Sequence, residues 1–114
     1  MYFGATFDFK CDRKILEIQS QWNAAGPYAW SAFDNDQYGA YIVTRKPDIN
    51  LRIKLFGEQP NYSLEIDCDV PAETIGSTKA GLLSIVFDQL LPAIEASAIR
   101  DTSRETSGGF PQRP

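Results

Sequence analysis

Histidine is absent from the 114 residues. Its absence removes the commonest general base, the commonest metal ligand and the usual partner of a nucleophilic serine or cysteine. Cysteine occurs only as Cys11 and Cys68, with no CxxC spacing, so a structural zinc site is not expected. Neither GxGxxG nor GxxxxGKS/T occurs, so no recognised phosphate cradle is present. No run approaches the roughly 18 uninterrupted apolar residues of a membrane helix. No basic region precedes an apolar one at Met1–Thr6, so no signal peptide is expected and a cytoplasmic location is. In a reducing compartment the two cysteines read as free thiols, with a Cys11–Cys68 disulfide as the alternative. Basic clusters are missing too. The net charge is −4 and the lysines and arginines are scattered, which argues against nucleic-acid binding.

What remains is ordinary globular composition, 43% hydrophobic and 23% charged, in a chain long enough for one core. Phe3, Ala5, Phe7 and Phe9 alternate with Tyr2, Gly4, Thr6 and Asp8, the pattern of a half-buried strand. Cys11, Ile15, Ile18 and Trp22 share a helical stripe, and Asp12 caps a helix expected over 12–24 before the stop at Gly26-Pro27. Two aromatic-rich strands are expected over 28–33 and 37–44, joined by the turn Asp34-Asn35-Asp36. The clearest pattern is residues 50–70. Ile49, Leu51, Ile53 and Leu55 share one face, and Leu64, Ile66, Cys68 and Val70 share the matching face of the next strand. Setting Leu55 against Leu64 puts Lys54 opposite Glu65 and Arg52 opposite Asp67, cross-strand ion pairs worth a few tenths of a kcal/mol each; a register shifted by two residues keeps the faces and pairs Arg52 with Glu65 instead.

A further helix should be capped by Ser77. Leu82, Leu83, Val86, Phe87, Leu90, Leu91 and Ile94 give it a wide apolar band, and Pro92 either kinks it or begins a segment running to about Arg100. The expected fold is a single α+β domain over 1–100 in the order β-α-β-β-β-β-α. Its mainly antiparallel five-stranded sheet is covered by a long C-terminal helix. Residues 101–114 read as a flexible tail.

Carboxylates are the one remaining source of chemistry. Asp34-Asn35-Asp36 with Gly39 faintly resembles a calcium loop, but Tyr38 stands at a ligand position and Arg45 where a bidentate Glu belongs, so it reads as a turn. Glu65 and Asp67 read as solvated ion-pair members rather than as an acid/base pair. No cofactor, metal or catalytic residue is expected.

The function expected from these features is a small acidic, non-catalytic protein-binding domain. The reading is an inhibitor or immunity-type antagonist of a basic partner such as a toxin nuclease. Glu65, Asp67, Asp69, Asp34, Asp36, Trp30 and Tyr38 are its candidate contacts. The alternative is a helix-grip-like small-molecule binder or cryptic enzyme, with a cavity between sheet and last helix and Trp30 and Tyr41 in its wall. A secretion-chaperone-like or self-associating module is a third reading.

Overall fold

Apolar side chains at every second position of three chain segments demand one shared buried layer, and the computed structural model of the chain has that layer. It describes residues 1–35 and 39–103. The strands are β1 (Tyr2–Lys10), β2 (Ser31–Asn35), β3 (Gly39–Lys46), β4 (Leu51–Glu58), β5 (Asn61–Asp69) and β6 (Ser97–Asp101). They form one sheet in the order β2-β3-β4-β5-β1-β6, with every neighbouring pair antiparallel. The fold is α+β, with six strands where five were expected.

The β4–β5 register is the expected one: Leu55 pairs with Leu64, Lys54 with Glu65 and Arg52 with Asp67. The hairpin is tight, with Glu58 already opposite Asn61. Gly57 makes this possible. Its φ is +125°, and a Cβ there would lie 2.4 Å from the Asn61 carbonyl oxygen.

One face of the sheet carries the core. Ala5, Phe7 and Phe9 of β1, Tyr62, Leu64, Ile66 and Cys68 of β5, Leu51, Ile53 and Leu55 of β4 and Ile42 of β3 are all buried. Helix α1 (Ile15–Ala25) adds Ile18 and Trp22 to this layer. It begins three residues later than expected. Asp12 does not cap it; instead Glu17 accepts a hydrogen bond from the Lys14 amide at 2.8 Å. Helix α2 (Ile75–Ile85) starts ahead of Ser77, out of a turn closed by Thr74 N–H on the Pro71 carbonyl.

Pro92 does not break the apolar band. Val86–Leu90 widens into a π-helical turn, where Leu91 N–H reaches back to the Val86 carbonyl, and α3 (Leu91–Ala93) follows. Widening is how a helix accommodates a ring that removes a donor and crowds the preceding turn. The Leu90 carbonyl accepts from Trp22 Nε1 at 2.8 Å, which ties α1 to this turn.

Two corrections concern the end of the chain. Helix was expected to reach Arg100, yet residues 97–101 are β6, paired with β1. The tail was expected from Asp101. Instead Asp101 lies opposite Phe7, and Thr102 and Ser103 are buried, the Thr102 amide on the Thr6 carbonyl and the Ser103 hydroxyl accepting from the Thr6 amide. Backbone pairing, not apolar burial, holds this segment, so hydrophobic pattern alone gives no sign of it. Residues 104–114 lie outside the described residues.

Cys11 and Cys68 are free and buried. Cys68 lies opposite Phe3, eight residues back along β1 from Cys11, or about 26 Å at a strand's rise. A disulfide between them is therefore geometrically impossible.

Candidate binding face

The side chains that alternate with the core project from the other side of the sheet, where no helix lies among the described residues. The pairing registers arrange them in rows across the strands. One row holds Arg45, Arg52 and Asp67; the next holds Ser31, Val43, Lys54 and Glu65. The third holds Phe33, Tyr41, Phe56, Ser63 and Asp8. Gly4 and Thr6 of β1 are buried on this side, so the uncovered part runs from β2 to β5.

Across the rows the chemistry is graded. The β2–β3 end is aromatic: Phe33 is half exposed and stacks on Tyr41 with ring centroids 5.6 Å apart. Cations follow on β3 and β4, then carboxylates on β5. Arg52 meets Asp67 at 2.6 Å, and Lys54 is 4.0 Å from Glu65. Lys54 also lies 5.5 Å from the Tyr41 ring centre and 5.4 Å from that of Phe56. Asp67 accepts a second hydrogen bond from the Tyr2 hydroxyl. Desolvation, and then that bond to a carboxylate, push the Tyr2 phenol well up from its ordinary range. Asp69 meets the N-terminal amine at 3.0 Å. The β5 carboxylates are therefore on the surface but already partnered, which lowers the charge they offer to anything else.

Of the expected contacts, Glu65, Asp67 and Asp69 share this face. Trp30 does not. It is buried against Trp22, with ring centroids 4.8 Å apart, because residue 30 falls on the core side just ahead of β2. Its backbone is held there by Asn23 and by Gln19 of α1. Asp34 is exposed but lies opposite Ala40, on the helix side of the sheet by strand alternation. Asp36 and Tyr38 lie outside the described residues.

The residue missed in sequence is Arg45. Strand alternation from Tyr41 and Val43 places it on the uncovered face, where it helps to line an open hollow of about 500 Å³ with Ser31, Phe33, Tyr41, Arg52 and Lys54. Among the described residues no group of three or more Cys, Asp or Glu side chains is placed to hold a metal ion. Among the described residues no helix is long and apolar enough to cross a membrane.

No family model matches the chain, and no curated protein matches it in sequence.

Proposed function

We propose that the protein is a non-catalytic protein-binding domain, an inhibitor or immunity-type antagonist that docks a basic partner on the uncovered sheet face. The observation that supports this reading is the six-stranded sheet with one face packed by helices and the other presenting Phe33 and Tyr41 on β2–β3 and Glu65, Asp67 and Asp69 on β5, with Arg52 and Lys54 of β4 between them. Exposed rings next to charge are the composition of a protein-contact surface. The net charge of −4 favours approach by a cationic partner. The competing reading placed a ligand between sheet and last helix. There Leu82, Val86, Leu90, Leu91 and Ile94 are buried as core, and its expected wall residues, Trp30 and Tyr41, lie on opposite sides of the sheet.

The test begins by identifying a stoichiometric partner through co-purification from the native host. Association rates are then compared for the wild type and the triple variant Glu65→Gln, Asp67→Asn, Asp69→Asn. The variant should associate about tenfold more slowly at low salt and show a flatter salt dependence. The control variant Glu73→Gln, Asp88→Asn, Glu95→Gln removes the same charge elsewhere. Equal slowing by both variants assigns the effect to net charge, and equal rates for wild type and triple variant sink the acidic-face reading.

A further inference from the structure

Arg45 and Arg52 are direct cross-strand neighbours. Like charges so placed destabilise a sheet, and a pair of which one member has no partner of its own points to something outside the sheet. Arg52 is satisfied by Asp67 at 2.6 Å. Arg45 is exposed and, among the described residues, has neither an ion pair nor a hydrogen bond from its side chain. Three cations, Arg45, Arg52 and Lys54, thus line one hollow, against two carboxylates, Glu65 and Asp67, that lie on the strand beyond it.

The rest of the lining is largely aromatic and aliphatic, with Ser31 and Thr44 as its hydroxyl side chains. The Phe33–Tyr41 pair, with its planes 25° apart, forms a wall, and Val43 and Ala29 contribute to the lining beside it. Thr44 belongs to the lining too, but its hydroxyl is committed to the Ala29 carbonyl at 2.7 Å and offers no competing donor. A volume of about 500 Å³ is within the range of small-ligand sites. A ring stacked on this wall and carrying an anion toward Arg45 would meet a planar guanidinium fork suited to a carboxylate.

We propose that this hollow on β2–β4 binds a small organic anion carried on a flat apolar group, an aromatic carboxylate in chemical class, with Arg45 as the anion anchor and Phe33 and Tyr41 as the stacking wall. The site shares Phe33 and Tyr41 with the face of the docking reading but does not depend on that reading.

The experiment is a titration of the full chain, followed by amide resonances in two-dimensional NMR, with indole-3-acetate as the probe. Saturable shifts centred on Ser31, Tyr41, Val43 and Arg45 are expected, with a dissociation constant of about 1 mM or tighter for a ligand of this size. Indole-3-acetamide, which keeps the ring and loses the charge, should bind about tenfold more weakly, as should acetate. Arg45→Gln should lose affinity about tenfold while its melting temperature stays level or rises, since the substitution removes the Arg45–Arg52 repulsion. Phe33→Ala, at an exposed position, should lose affinity without unfolding and serves as the second variant. Absence of saturation, equal binding of the acetamide or of acetate, or unchanged affinity in both variants would each overturn the proposal.

Discussion

Replacing Ile53 by Ala probes the sheet where it is least able to adjust. Ile53 is fully buried, and its row on the core face reads Thr44, Ile53, Ile66 and Ala5. The substitution removes all of the side chain beyond Cβ, about 2.4 kcal/mol of transfer free energy at about 0.8 kcal/mol per methylene. A cavity term adds to this. The outer members of the row are short side chains on strands fixed by their ladders, so little can move in to fill the space. The expected total is about 3–4 kcal/mol, or roughly 10–20 °C in melting temperature for a domain of this size. Urea unfolding followed by far-ultraviolet circular dichroism measures it, with the slope against denaturant unchanged if only stability is affected. Ile66→Ala should cost a similar amount. Because the two side chains touch across the ladder, the double variant should cost less than the sum. A cost below about 0.5 kcal/mol for either single variant would refute the packing argument.

Gly57→Ala should destabilise by about 2 kcal/mol or more, because the new Cβ meets the Asn61 carbonyl oxygen and the backbone stays at φ +125°. A shift in urea midpoint within error would mean the hairpin has relaxed around it. Truncation after Arg100 should be about 1–3 kcal/mol less stable than truncation after Ser103, since only the former strips Thr6 of its Ser103 and Thr102 partners. Equal melting temperatures for the two truncations would contradict that. Burial raises the phenols of Tyr2, Tyr28 and Tyr62 in the folded state. The unfolded chain therefore releases these protons first, and stability should hold below about pH 10 and fall as pH rises beyond it. Stability that is flat from pH 9 to about 11.5 would refute this.

Legibility in the sequence tracked periodicity. The alternation of 50–70 specified two strands and their buried faces but allowed two registers, of which the one that sets Leu55 against Leu64 is found, with the pairs Arg52–Asp67 and Lys54–Glu65. β1 and the apolar band from Leu82 to Ile94 were equally plain. β6 was not. Its five residues are all exposed, so no inward stripe marks them, and Ala98 at φ +51° interrupts the strand pattern. The start of α1 was missed because a capping glutamate three residues into the helix, rather than Asp12, fixes it. On the candidate face, Trp30 was misplaced because a ring just ahead of a strand has no alternation to follow, and packing against Trp22 decided its side. Arg45 was legible in face but not in role. Only pairing with β4 shows that its neighbour is another arginine.

Synthesis runs from the N-terminus, and the strand order makes that direction matter. β1, the first strand made, sits between β5 and β6, with Phe7 opposite both Leu64 and Asp101. β2 to β5 can zip as consecutive hairpins while they emerge, but β1 has no ladder partner until residues 61–69 exist. At about 5–20 residues per second that interval is on the order of 3–12 s. Throughout it, a segment bearing Phe3, Phe7 and Phe9 is without its sheet. Until β5 emerges, the apolar face of residues 2–10 is what a ribosome-associated holdase would have to bind. A permutant that places β1 after β5 should refold faster, because it exchanges the long β1–β5 closure for a hairpin and shortens the still longer closure between β1 and β6.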